Sequence, residues 1–373
     1  MRVSRMNTGF GIILLAVSLI LVMMIPNYGE TAERQTFRLR VVAGHPYTPG
    51  NFWIKSLEDF FCREVEKRVL EKTQNYKVEM KGHYGGTLAK LTDCLDSVEK
   101  GLADIGFQIP IFEMSKLEPM NFSMWVPFSP PEMPKAIKAA EKTINHFPLF
   151  NELLAKYKQR RIGTSSFAQP SYQIISKFPI KTMDDLRGKK IGHGGPMLPW
   201  LSALGATSVR MAWPEVYTSM DTGVLDGYSM PANIVVALKI YDVGKYLTLA
   251  NFGATAFVSG FISANIASWN KLPKEVQDIL NQVGSEYTWD VVKRSETLEK
   301  EAIESLKNAK VSIYTLPEEE RARWAKALDD ARVTAKPVAA CKAHGFPAEE
   351  IATSFIKAIE EEGYKFPYPI TVK

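Results

Sequence analysis

Cysteine is scarce in this chain: the three residues Cys62, Cys94 and Cys341 include no Cys-x-x-Cys pair, so neither a dithiol redox centre nor a zinc ribbon is encoded. Histidine is scarce as well. The five, at 45, 83, 146, 193 and 344, stand apart without the spacing of metal ligands. There is no Gly-x-Ser-x-Gly nucleophile elbow and no His-Glu-x-x-His motif. Gly192-His193-Gly194-Gly195 opens like a dinucleotide loop, but Met197 holds the position of its third glycine. Basic residues do not cluster among aromatics. The formal charge is +5, and a leader ending before Glu30 would take Arg2 and Arg5 with it and leave +3, so nucleic acid is not an expected partner. Glu299, Glu301 and Glu304 alternate with lysines and read as a solvated helix face. These absences leave no nucleophile, acid–base pair, metal or cofactor site. A binding module fits better than an enzyme, although an enzyme on a binding scaffold stays open to a turnover assay.

What is present begins with the N-terminus. Arg2 and Arg5 precede an uncharged, mostly apolar run from Phe10 to Ile25 that stops at Pro26. This is the pattern of a secretory signal, here residues 1–32, with Gly29 and Ala32 as small residues near the cleavage point. The run is also nearly long enough to be an uncleaved anchor. Either way the body lies outside the cytoplasm. There two cysteines normally pair, and Cys62 with Cys94, on two expected helices of the first half, are the better partners; three free thiols are the alternative. Such a loop would stabilise by about 3 kcal/mol. The 373 residues suffice for two domains with proper cores.

The stretch Trp213–Pro231 reads as helix, tight turn and strand. Pro214 fits a first helical turn, Val216, Tyr217 and Met220 form one apolar face, and Gly223 ends the helix. The same punctuation occurs earlier: Ser97-Val98-Glu99-Lys100-Gly101-Leu102-Ala103-Asp104 echoes Ser219-Met220-Asp221-Thr222-Gly223-Val224-Leu225-Asp226. The echo implies two α/β lobes with a cleft between them. The first lobe reads β-α-β-α-β, with strands at 38–42, 77–80 and 104–108 and helices at 52–70 and 88–100. Helical spacing from Pro273 to Asn308 predicts a helix of about 50 Å, long enough to run along both lobes, unless Gly284 breaks it in two. Helices are also expected at 317–335, stopping before Pro337, and at 347–361. Loops at His45–Asn51, His83–Thr87 and Gly192–Pro196, with the strand ends at Phe178 and Tyr228–Met230, would converge on the cleft.

These residues resemble the solute-binding proteins of tripartite ATP-independent periplasmic (TRAP) transporters, the DctP family. The signature runs from Thr182-Met183-Asp184-Asp185-Leu186-Arg187-Gly188-Lys189-Lys190-Ile191 through Leu204-Gly205-Ala206, Pro214-Glu215-Val216-Tyr217 and Thr222-Gly223-Val224-Leu225-Asp226-Gly227 to Tyr241-Asp242-Val243-Gly244-Lys245-Tyr246. The first lobe matches at Gly85-Gly86-Thr87-Leu88 and Gly101-Leu102-Ala103-Asp104-Ile105-Gly106. The resemblance implies a two-lobed periplasmic α/β binding protein with hinge strands and a long helix spanning both lobes. The expected division is 37–173 plus 257–295 for lobe I and 174–256 plus 296–373 for lobe II. It also implies capture of a small-molecule organic solute by lobe closure, and delivery to TRAP permease subunits in the membrane. A membrane-tethered ligand sensor is the alternative, which gene context would separate.

Departures from the family pattern shape the expected site. The strand position where members carry a carboxylate-gripping arginine is Gly192, a second arginine position falls on Phe178, and the asparagine before proline becomes Met230. The aromatic ahead of Glu-Val-Tyr is kept as Trp213. A buried carboxylate without a cation is costly. The expected ligand therefore has an aromatic or apolar body, stacked on Trp213 and packed by Phe178, Met230 and Trp125, with Gly192 leaving room and Tyr228 beside it. An acid group would turn to His193, His45, Lys177, Gln169 or the loop N–H groups around Gly86. The alternative is a C4-dicarboxylate held by a relocated Arg161 or Arg210.

Overall fold

A computed structural model describes residues 33–48, 50–164, 170–195, 197–253 and 260–373. The apolar run 10–25 and Gln169 lie outside the described residues. The fold is mixed α/β with two sheets. The first has the order β2-β1-β3-β10-β4, built from β1 (Gln35–Ala43), β2 (Tyr76–Tyr84), β3 (Ile105–Gln108), β4 (Gln159–Ile162) and β10 (Phe261–Asn265). The second has the order β11-β9-β5-β8-β6-β7, from β5 (Gln173–Ser176), β6 (Lys190–His193), β7 (Thr207–Arg210), β8 (Gly227–Met230), β9 (Tyr246–Leu249) and β11 (Ser312–Thr315). In each sheet three neighbouring strands run parallel, β2-β1-β3 in one and β8-β6-β7 in the other, so their carboxyl ends share an edge.

The repeated octet is one device used twice. Gly101 and Gly223 take the left-handed backbone at φ 71° and 81° that ends each helix. The aspartate three residues on then docks the neighbouring strand. Asp104 accepts the Arg40 N–H at 2.9 Å and Asp226 accepts the Lys190 N–H at 2.8 Å. In return the Asp104 and Asp226 N–H groups donate to the Arg40 and Lys190 carbonyls.

Alternation along the strands assigns the cores. In β1, Val41 and Ala43 face a cluster with Trp53, Phe61, Cys62 and Tyr287, whereas Val42 faces a smaller one with Cys94, Val98 and Ala103. Cys62 and Cys94 therefore lie on opposite faces of the first sheet. The expected disulfide is absent; all three cysteines are buried free thiols. In β5, Ile174 packs with Leu201 and Trp324 while Ile175 packs with Tyr228 and Leu306.

The long helix is continuous from Lys274 to Asn308, 35 residues. Val276 to Val291 pack on the first sheet, and Ala302 and Leu306 on the second, so it braces both lobes. Gly284 does not break it. A Cβ there would meet Ile162 Cγ2 at 3.0 Å and the Ile162 carbonyl at 3.1 Å, because the chain leaving β4 presses its backbone onto the helix. Glu299 departs from the solvated face expected of it. It is half-buried and accepts the N–H groups of Ala232 and Asn233 at the start of the helix Ala232–Ala237.

The C-terminal boundary differs from the expected 296–373. Trp324 and Leu328 stay with the second sheet, but Val338, Cys341 and Ile351 to Ile359 pack with Phe122, Ile137 and Phe150 beside the first. The helix expected over 317–335 stops at Asp330, and Pro337 sits in the first turn of a new helix, Ala335–Ala343, where its missing N–H costs nothing. Among the described residues no helix is long and apolar enough to cross a membrane.

Candidate ligand site

At the carboxyl edge of the second sheet, β6 and β8 lie in register, Gly192 beside Tyr228. Gly192 does not leave open room. A Cβ there would lie 2.5 Å from Tyr228 Cδ2 and 2.9 Å from Leu225 Cδ1, so the tyrosine ring fills the space. The Tyr228 hydroxyl donates to the Met211 carbonyl at 2.7 Å, which holds the ring in place. Burial raises the pKa of Tyr228 above its ordinary value, so it stays a neutral donor.

His193 completes this aromatic box. Its ring stacks on Tyr228 at 6.4 Å and tilts against Tyr172 at 5.4 Å. Its Nδ1 accepts the Gly195 N–H at 2.9 Å, which places the proton on Nε2. Burial first, and the nearby Arg210 charge also, lower its pKa to about 4. His193 therefore offers a solute a neutral N–H donor and no charge.

The two relocated arginines separate clearly. Arg161 is half-buried on the first lobe, paired with Glu141 at 3.5 Å and donating to Asn145 at 2.9 Å, and is held there. Arg210 is the register partner of His193 on β7, is exposed, and has no carboxylate partner among the described residues. Its charge acts on His193.

Trp213 begins the helix Trp213–Asp221 and is half-buried against the cluster that holds Tyr228 and Met230. The Glu215 carboxylate accepts the Ala212 N–H at 3.3 Å and fixes the helix start. Met230 lies in the same cluster but is wholly buried, so it shapes the wall from behind.

Phe178 is elsewhere. β5 runs antiparallel to β8, pairing Gln173 with Met230 and Ser176 with Gly227. Phe178 follows Ser176, at the opposite end of the sheet, where its ring lies under the Lys189 ammonium at 4.8 Å. Lys177 precedes it at that same end. The residues that reach the cleft edge from β5 are instead Tyr172 and Gln173. Gln173 is already engaged: its Nε2 donates to Asn251 at 2.8 Å and its Oε1 accepts the Asn251 N–H at 3.0 Å.

His45 and Gly86 stand at the corresponding edge of the first sheet, after β1 and β2. His45 packs edge-on against Trp53 and Phe112, and burial lowers its pKa to about 4. Gly86 is exposed with φ 85° in the loop that follows Gly85, whose N–H donates to the His45 carbonyl at 2.9 Å. Trp125 does not join the strand-end group; it lines a separate cavity with Trp200. The structure thus gathers Gly192, His193, Tyr228, Trp213 and Met230 on one wall, and His45 and Gly86 on the other. The sequence reading missed Tyr172, whose alternation with Gln173 becomes meaningful only once the direction of β5 is known.

Two α/β lobes, parallel strand ends at each cleft edge and one helix bracing both define a two-lobed solute-binding protein. The profile of bacterial extracellular solute-binding protein, family 7 (DctP), matches residues 44–334, and the chain belongs to that family. It is similar to the C4-dicarboxylate-binding periplasmic protein DctP of Rhodobacter capsulatus, 26% identical over 287 residues, covering 74% of this chain and 84% of that one. The ectoine-binding periplasmic protein TeaA of Halomonas elongata is 22% identical over 269 residues, 71% and 76% of the two chains. Among solved structures, an open TRAP periplasmic solute-binding protein of Desulfovibrio salexigens superposes with TM-score 0.72 at 20% identity, over 87% of this chain and 96% of that one. Another from D. salexigens, with bound orotic acid, gives 0.65 at 23%, over 87% and 98%. The chain is thus an extracellular solute-binding protein of this family, and the two named relatives are described as binding proteins.

Proposed function

We propose that this chain is exported, captures an organic acid with an aromatic or apolar body in the cleft, and hands it to TRAP permease subunits at the membrane. The observation that carries the reading is the packing of Tyr228 over Gly192. At the end of β6 itself no guanidinium stands among the described residues, and an aromatic surface takes its place. The body of the solute packs on Trp213, since a half-buried indole at a cleft edge offers a large, rigid contact area. The acid group meets the neutral His193 Nε2–H, with Arg210 supplying charge from the neighbouring strand. Relatives bind solutes as different as C4-dicarboxylates and ectoine, so the family sets the mode of capture and leaves the solute open.

The second reading is a small dicarboxylate gripped by Arg210 alone, favoured by that side chain's having no carboxylate partner among the described residues. Thermal unfolding with indole-3-acetate, 1-naphthoate, their amides and succinate separates the two. Stabilisation by the aromatic acids supports the first reading. Stabilisation by succinate alone, abolished by Arg210→Ala, replaces it with the second.

A further inference from the structure

A cavity of about 470 Å³ opens away from the strand-end group. Gly192, His193, Trp213 and Tyr228 are not among its lining residues. Among the described residues its walls come from three separate stretches: Met114, Asn121, Met124 and Trp125 after β3, Trp200 from the helix Leu198–Ala203, and Lys336 from the helix Ala335–Ala343. The volume falls in the usual range of small-molecule sites, which runs from about 300 to 1,000 Å³.

The lining is chemically one-sided. Two indoles and two thioethers supply polarisable apolar surface suited to a ring system. Both tryptophans are held in place, Trp125 through its carbonyl, which accepts from Thr334 Oγ1 at 2.6 Å, and Trp200 through its ring contact with Phe252 at 6.2 Å. The buried Asn121 amide nitrogen donates to the carbonyls of Leu117 at 3.1 Å and of Pro110 and Glu118 at 3.4 Å, leaving its oxygen as the acceptor it offers. Lys336 is exposed and has no carboxylate partner among the described residues. The cavity therefore combines an apolar body site with one uncompensated positive charge.

We propose that this cavity is a second ligand site, distinct from the cleft, for an organic anion with a flat apolar body: the body against Trp125, Trp200 and the two methionines, the anionic group on Lys336 Nζ. Its walls include elements attached to both sheets, so an occupant ties one lobe to the other.

The test uses 1-naphthoate and its neutral amide, titrated by calorimetry into the full exported chain. Ala203 lines the cavity and is only partly buried, so Ala203→Trp fills the space with little strain on the fold. In the cleft-defective variant Trp213→Ala, naphthoate should still bind one saturable site. That binding should weaken about tenfold on adding Lys336→Gln, in line with loss of a charge-assisted contact, and vanish on adding Ala203→Trp. The amide should bind equally well with and without Lys336→Gln. Naphthoate in this cavity in a soaked wild-type crystal would support the site with no variant involved. Absence of saturable binding in Trp213→Ala, or binding there that survives Ala203→Trp, overturns it. The cleft reading stands or falls separately, on the wild-type difference that Trp213→Ala removes.

Discussion

Gly192 and Tyr228 show how one residue pair redefines a site. With a Cβ only 2.5 Å from the tyrosine ring, Gly192→Ala should lower stability by about 1–3 kcal/mol in denaturant unfolding, the usual cost of overpacking. In a Tyr228→Ala background the same Gly192→Ala change should cost clearly less; an unchanged cost would mean that the ring is not what excludes the side chain. Trp213→Ala should weaken the cleft solute about 30-fold, near 2 kcal/mol, with the unfolding midpoint of the free protein almost unchanged, because the indole is only half-buried. The positions of Trp213, Gly192 and His193 at a helix start and a strand end were legible because the motif around them fixes that strand and helix. Phe178 was misplaced because strand direction is not written in local sequence: β5 is antiparallel to β8, which carries Phe178 to the far end. Cys62 and Cys94 failed as a pair for a related reason. Helix assignment alone does not say which face of a sheet each helix covers.

Among the elements, the long helix was fully legible. Its apolar residues keep helical spacing, and most of its acids and lysines alternate on the outside, Glu299 being the exception. The role of Gly284 was not legible, since only tertiary contact reveals it. In an isolated helix Gly284→Ala would stabilise by about 1 kcal/mol. Here the added methyl group meets Ile162 at 3.0 Å, so the variant should instead be destabilised, and Gly284→Leu more so, measured by urea unfolding. A stabilised Ala variant would show that β4 yields easily. The repeated octet was legible as a pattern, and its physical content is the pair of aspartates that dock Arg40 and Lys190. Strands β7, β9 and β10 escaped notice. They are four or five residues long, too short for alternation to stand out, and their neighbours along the sheet come from distant sequence.

For the whole molecule, buried titrating groups predict a pH profile. His45 and His193 have pKa values lowered to about 4, chiefly by burial. In the unfolded chain each titrates near its ordinary value of about 6.5. Between those values the unfolded state binds more protons, so stability is full above about 6.5 and falls as pH drops toward 4. Glu299 works in the opposite sense. Burial raises its pKa to about 7, partly offset by N–H bonds from Asn233 and Ala232. Its contribution is present below the usual carboxylate range and is lost as pH rises through about 7. Urea unfolding at pH 5 and pH 8 should show Glu299→Gln gaining stability relative to wild type at the higher pH; an unchanged difference would mean that the group titrates normally. Two lobes were legible from the echoed octet and the helix length. The return of the C-terminal helices to the first lobe was not, because an amphipathic helix such as Ala348–Glu361 does not specify the surface its apolar face will cover.

The account rests on a cleft that holds its solute by aromatic packing where an arginine would otherwise stand. The most direct measurement is the shift in unfolding temperature of wild type and Trp213→Ala with indole-3-acetate and with succinate. Indole-3-acetate should stabilise wild type strongly and Trp213→Ala weakly, with succinate nearly inert on both. Strong stabilisation by succinate alone, equal in the two proteins, would contradict it.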